Sequence, residues 1–286
     1  MPARPLLSLA LLAAVLAACG GAGKSAPAAS PSPPAPLLSR ASFAQLVAAR
    51  VERDTDLGAE PAGGAGITVQ GGLNWVKVDL ASAYSEYRRA PGSREGVVTG
   101  AAAASEQRFS RGFGAAGFEA VRSDLRPLLK PLFRLRRQPE EPIERRFVPG
   151  LVVVYAVARP ADFTLVTSGD LVRWGKSVRE LDRIAVANLA RTTDPLLCEQ
   201  DLCGWASGDG YDATRLLVPK LRRDIVREIG PAVYAVPQDD VFVALPVRLA
   251  DRIRTKVLEE FTTGRDGVSP DLFVEKLGKL VVLAGP

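Results

Sequence analysis

The sequence predicts an α+β fold, a largely antiparallel sheet built from hairpins that alternate with helices. Three observations carry it. Alternating apolar segments flank the turn sequences Gly71-Gly72 and Gln238-Asp239-Asp240, and such short connections make antiparallel strand pairs, not parallel crossovers. Segments of helical apolar spacing separate those pairs, as at Leu181, Ile184, Ala185 and Leu189, which sets helix and strand in turn along the chain. Residues 151–158 (Leu-Val-Val-Val-Tyr-Ala-Val-Ala) form an unbroken apolar run, the mark of a strand covered on both faces.

The elements follow in order. Phe43, Leu46, Val47 and Val51 recur at helical spacing, with Ser42 as the expected N-cap. The Gly/Pro-rich stretch 56–66 reads as a loop, and 67–69 with 75–80 as a hairpin. Helix is expected over 82–89, over 93–108, and over 118–129, where Pro127 and Pro131 interrupt it. After strand 151–158, a turn at Arg159-Pro160-Ala161-Asp162 leads into strand 163–166. Helix 178–189 precedes a hairpin containing Cys198 and Cys203, and helix 212–229 carries Leu216, Leu217, Leu221 and Ile225 on one side. Strands 233–236 and 241–245, helix 247–261, and strands 272–274 and 280–283 complete the chain.

The N-terminus specifies a location. Arg4 precedes an apolar stretch over 6–16, and Leu16-Ala17-Ala18-Cys19 closes it. Small residues before a cysteine resemble the lipobox of bacterial lipoproteins, which implies a signal peptide over 1–18 and diacylglycerol and acyl chains on Cys19. The apolar run is too short for a bilayer span, which needs about 20 residues. Residues 19–40 are mostly Gly, Ala, Ser and Pro, a composition that buries too little apolar surface to order itself and reads as a tether. Gly20, where an Asp would favour inner-membrane retention, points to the periplasmic face of the outer membrane in a Gram-negative cell. The membrane, through the lipid on Cys19, is thus the first expected partner.

The remaining 41–286 reads as a single α+β domain, with a looser N-terminal part over 41–146 as an option. Hydrophobic content of 47% beside 24% charged residues is that of a globular chain. A net charge of +5 admits an anionic surface without singling one out. No nucleic-acid-binding motif is present, so nucleic acid is not an expected partner. The chain has no histidine. That absence removes Ser-His-Asp and Cys-His catalysis and every His-containing zinc site. No cofactor or metal site is expected.

With Cys19 lipidated, Cys198 and Cys203 remain as a pair. An oxidising envelope favours a bridge between them, with two free thiols as the alternative. Their C-x4-C spacing is not the C-x-x-C of redox motifs.

Four segments occur in one order: Val152, Val153, Tyr155, Ala156 and Val157; Ala187-Asn188-Leu189; Gly208-Asp209-Gly210-Tyr211-Asp212-Ala213-Thr214-Arg215-Leu216-Leu217; and Ala235-Val236-Pro237-Gln238-Asp239-Asp240-Val241. Together they resemble the YtpQ-like family of bacterial proteins, over about 150–245. The resemblance implies a fold and no catalytic residues. Relatives without a lipid anchor make the envelope location a departure.

Asp209, Tyr211, Asp212 and Arg215 are the first residues to suspect of chemistry, since two carboxylates beside an aromatic can hold a metal or move protons. Their structural reading is a turn at Asp209-Gly210 and an N-cap at Asp212. Arg122, Arg126, Lys130 and Arg134 recur every four residues. On a helix they would give a positive stripe for an anionic lipid surface. Gly175-Lys176-Ser177 lacks the first glycine of a P-loop, since Asp170 stands there. The leading functional expectation is a non-enzymatic interaction or ligand-binding module, held near the membrane and contacting lipid or an envelope protein. The alternatives are a histidine-free enzyme acting on an envelope substrate and a structural lipoprotein contacting the cell wall.

Overall fold

The computed structural model describes residues 36–284, except 115, 137, 139 and 206. The expected signal peptide (1–18), Cys19 and the tether up to residue 35 lie outside the described residues. The folded body starts before the expected boundary at 41. Leu37 already belongs to it, and Leu38 is held on both sides: its N–H donates to the Tyr87 hydroxyl (2.9 Å) and its carbonyl accepts from the Tyr84 hydroxyl (3.0 Å).

Helix α1 (Arg40–Asp54) is capped by Ser39, not Ser42, because the Ser39 hydroxyl accepts the Ser42 N–H (3.0 Å). Strand β1 (Gly58–Pro61) falls in the stretch expected to be loop and pairs with β2 (Gly66–Gly71). The expected hairpin joins β2 to β3 (Asn74–Asp79). Helices α2 (Ala81–Arg89) and α3 (Arg94–Arg111) then close with α1 over these strands. Phe43, Val47, Ile67, Val69, Tyr87 and Val98 form one buried cluster there.

The helix expected over 118–129 is mostly absent. One turn of helix, α4 (Phe118–Val121), gives way to strand β4 (Leu125–Pro131), which ends in another short turn, α5 (Leu132–Leu135). In a strand, successive N–H groups point to opposite sides. Pro127 and Pro131 share a side with Leu129, whose N–H leaves the sheet to reach Thr214 Oγ1 (3.1 Å). The two missing donors therefore cost no ladder bond, whereas a helix would have lost both. The spacing of Leu125, Leu128 and Leu129 imitates a helix because the strand buries both faces.

Strands β5 (Glu144–Val148), β6 (Leu151–Arg159) and β7 (Asp162–Leu165) complete an antiparallel seven-stranded sheet of order β1-β2-β3-β7-β6-β4, with β5 also beside β6. As expected, β6 is covered on both faces. Val153, Tyr155 and Val157 enter one cluster, and Val152, Val154 and Ala156 another. Helix α6 (Ser168–Trp174) is too short to show periodicity. It ends at Gly175 in the left-handed conformation, and Ser177 opens α7 (Val178–Thr192) in a capping box with Glu180. Those helix-end roles account for Gly175-Lys176-Ser177.

The second sheet begins with the cysteine hairpin, β8 (Leu197–Glu199) and β9 (Leu202–Trp205). Cys198 and Cys203 stand directly opposite each other and are bridged. Reducing the bridge is expected to cost about 2 kcal/mol, since so short a ring restricts the unfolded chain only modestly. Thiol titration of a Cys19→Ser chain before reduction checks the pairing: no reactive thiol is the expected result, and two would contradict it.

The helix expected over 212–229 is split. Ala213–Leu217 is a 3₁₀ turn, and α8 (Pro219–Ile229) starts afresh with Pro219 at its first position. A residue before proline avoids the helical region, so the break falls at Val218. Strands β10 (Ala232–Ala235) and β11 (Phe242–Pro246), helix α9 (Ala250–Thr263), and strands β12 (Leu272–Lys276) and β13 (Lys279–Val282) follow. The sheet order is β13-β12-β10-β11-β9-β8, again antiparallel. The fold is α+β with antiparallel sheets, as the hairpins predicted. Tyr155 and Leu129 of the first sheet share a core with Trp205, Tyr234, Phe242 and Phe273 of the second, filled by Leu181 of α7 and Ile225 of α8. Val257 of α9 packs with Val233, Leu245 and Leu272 in a separate cluster.

Candidate functional site

The 3₁₀ turn brings the suspected residues together. A three-residue repeat stacks side chains at i and i+3, which sets Arg215 directly against Asp212. The loop before it turns back through Gly208 and Gly210, both at positive φ, and delivers Asp209 to the same guanidinium. Arg215 has no exposed surface. Its Nη1 donates to Asp212 and to Asp209 Oδ1 (3.0 Å), and its Nη2 to Asp209 Oδ2 (2.6 Å). Ser207 completes the cluster, with its hydroxyl donating to Asp212 Oδ1 (2.7 Å) and its N–H to Asp212 Oδ2 (3.2 Å).

Asp212 is therefore not a helix cap. Its backbone is helical and its side chain makes no capping bond; it is a fully buried acceptor of three donors. Burial pushes the Asp209 carboxyl up, but hydrogen bonds from Arg215, the Tyr211 N–H and Ser207 outweigh it and hold the group below its ordinary value. A carboxyl lowered in the fold contributes stability that is present above its unfolded value, near pH 4, and lost as the pH falls further. Asp209→Asn is accordingly expected to give a shallower acid-unfolding curve below about pH 4, followed by circular dichroism; an unchanged curve would contradict the pairing. Tyr211 is pushed up to about 12, by burial first, with Arg126 opposing and Asp209 assisting. Its ring packs against the cluster of Leu128, Val154 and Ala156.

A second charged group lies close by. Lys130 on β4, almost fully buried, pairs with Asp239 in the β10–β11 turn. Burial raises the Asp239 carboxyl against the pull of Lys130. The turn itself is tied in at both backbone ends, since Asp239 accepts from the Ala213 N–H (3.0 Å) and donates to the Asp266 carbonyl (3.2 Å).

The expected positive stripe does not form, because the four residues do not share a helix. Arg122 lies in a short 3₁₀ turn and reaches Glu119 (3.3 Å). Arg126 donates to the Ser123 and Leu125 carbonyls. Lys130 is buried with Asp239, and Arg134 meets Asp266 (3.0 Å) and the Arg265 carbonyl.

Sequence reasoning missed a further tie. The Tyr155 hydroxyl donates to Asp182 Oδ1 (2.9 Å), which also accepts Nε and Nη2 of Arg145 (3.1 and 3.0 Å). Burial and the Asp182 charge push the tyrosine well above its ordinary range, so it stays a donor. Asn188 joins α7 to the start of β4 through the Leu125 (3.0 Å) and Arg122 (2.7 Å) carbonyls. No spacing pattern could have found these partners, because each pair is far apart in sequence.

Concave surface lies elsewhere. A groove of about 900 Å³ runs between α7 and the start of α8, with Val186, Ala190, Leu217 and Pro219 beside Arg179, Arg183 and Arg223. Those three arginines have no carboxylate partner among the described residues. A cleft of about 640 Å³ opens on the other flank of α8. Asp209, Tyr211, Asp212 and Arg215 line neither. Among the described residues, no group of three or more acids or cysteines gathers as a metal site. No helix among them is long and apolar enough to cross a membrane. The chain matches no protein-family profile, no curated protein and no solved structure.

Proposed function

We propose that this chain is a lipid-anchored protein of the bacterial cell envelope whose body is a non-enzymatic interaction or ligand-binding module. The observation that carries the non-enzymatic part is Arg215, which has no exposed surface and ties Asp209 and Asp212 to one guanidinium. Acids whose oxygens are already taken by an internal guanidinium are poorly placed to move a substrate's proton. The groove between α7 and α8 supports binding, because its unpaired arginines border an apolar floor.

The envelope part rests on Leu16-Ala17-Ala18-Cys19 and the Gly/Ala/Ser/Pro tether. The bridge between Cys198 and Cys203 agrees with an oxidising compartment. Membership of the YtpQ-like family is part of the same proposal. Three of its four segments meet at the 3₁₀ turn: Ala213 bonds to Asp239, and Ala213 and Leu216 share a core with Val153 and Tyr155.

Cells fed an alkyne fatty acid test the anchor. The expected result is label on the wild-type chain and none on Cys19→Ala; an unlabelled wild type would remove the anchor. Crosslinking of the labelled cells then tests the module, with a stoichiometric partner or retained ligand as the expected outcome. Turnover of an envelope substrate that Asp212→Asn abolishes without unfolding the chain would overturn the non-enzymatic reading.

A further inference from the structure

The cleft on the β10 side of α8 contains a group whose bonding is incomplete. Tyr234 has no exposed surface, and its hydroxyl has no hydrogen-bond partner. Native folds seldom leave a buried hydroxyl unpaired, since such a group costs the full loss of its water contacts. Tyr234 lines the cleft with Val226, Ala232, Val247 and Val274, and about 640 Å³ is within the range of small-molecule sites. Burial, with the nearby Glu275 charge adding to it and Arg222 opposing, pushes this tyrosine up to about 12. The hydroxyl therefore stays protonated, a donor without an acceptor. Because it is covered, a ligand reaches it only as the side chains around it shift.

The charges around it favour an anion. Arg222, Arg223 and Arg227 border the cleft against Glu275 alone. Arg222 and Glu275 pair with each other (2.9 Å), and Arg227 is also drawn to Asp224 outside it (3.1 Å). Arg223 has no carboxylate partner among the described residues. Exposed apolar side chains stand beside these charges. Val226 and Val247 are both partly exposed, and Leu277, beside the lining residue Gly278, is fully exposed. Leu277 also holds φ 51° in the β12–β13 turn, where a small polar residue or glycine is the unstrained choice.

We infer that this cleft binds an apolar chain ending in a carboxylate, whose oxygen accepts the hydrogen bond of Tyr234 within the field of the three arginines. The apolar body then lies against Val226, Ala232, Val247 and Val274. This inference rests on the binding-module reading and names the ligand class for it.

Calorimetric titration of the full Cys19→Ser chain with decanoate tests it, with acetate and 1-octanol as controls. Saturable decanoate binding is expected, with both controls weaker, because one lacks the chain and the other the charge. Tyr234→Phe is expected to weaken decanoate binding about tenfold or more, the usual effect of losing a hydrogen bond to a charged group. Its thermal stability should be retained or raised, since the substitution removes an unpaired buried hydroxyl and nothing else. Arg223→Gln should weaken decanoate and leave 1-octanol unchanged. Absence of saturable binding, equal binding of acetate, or an unchanged affinity in Tyr234→Phe would each overturn the inference. Chemically altered decanoate recovered after incubation would instead overturn the non-enzymatic reading, so the two failures are distinguishable.

Discussion

Arg215→Ala is expected to destabilise the protein by about 3–5 kcal/mol, the usual cost of leaving a buried charge without its partner. Asp212 has no exposed surface, and without Arg215 only Ser207 would donate to it. Asp209, more than a third exposed, would regain water and adds less. Urea denaturation monitored by circular dichroism reads the loss directly. A change of less than about 1 kcal/mol would mean that solvent or another group already satisfies Asp212. Neutralising the whole cluster is a different experiment, because it removes the charges together and leaves none stranded.

Lys130→Ala carries the second large effect, again about 3 kcal/mol or more near neutral pH. Its partner Asp239 is already raised by burial, and losing Lys130 raises it further. A carboxyl whose folded value lies above its unfolded one costs stability once the pH rises from the unfolded value through the folded one. The penalty of Lys130→Ala should therefore shrink as the pH is lowered toward 4, where Asp239 takes up a proton in the fold. Unfolding midpoints at pH 4 and pH 7 decide it. A penalty that is equal at both, or larger in acid, would contradict the buried pair.

Much of the architecture was legible because the chain is locally consistent. The hairpins at Gly71-Gly72 and at Gln238-Asp239-Asp240 read correctly, since turn residues and alternating flanks specify the same pairing. Strand β6 read correctly because its apolar run is short and rich in β-branched valine, which favours a doubly covered strand over a buried helix. Strand β4 misled. Its leucines sit at helical spacing, and its prolines look like helix interruptions until the side on which their missing donors fall is known. That knowledge needs Thr214, far along the chain, as the partner of Leu129.

The candidate site was half legible. Asp209, Asp212 and Arg215 were singled out together, and they do meet. Their role differed from the expected cap because Pro219, and not Asp212, begins α8. The basic residues were misjudged through the same error as β4, since the one helix that would align them is in fact a 3₁₀ turn, a strand and a short helix in succession. Tyr234 carried no sequence signal at all. A tyrosine in an apolar strand is unremarked until its hydroxyl is found without a partner.

The claim that these acids and Arg215 hold the fold, and perform no chemistry, is tested most directly by Asp209→Asn, Asp212→Asn and Arg215→Met made together. Stability and decanoate binding of that protein would be measured beside the wild type, with the cellular phenotype of a deletion strain complemented by each. The account predicts a folded protein within about 1–2 kcal/mol of wild type, with binding and phenotype retained. A protein that folds as stably but fails to complement would contradict it, and would make this cluster the working site.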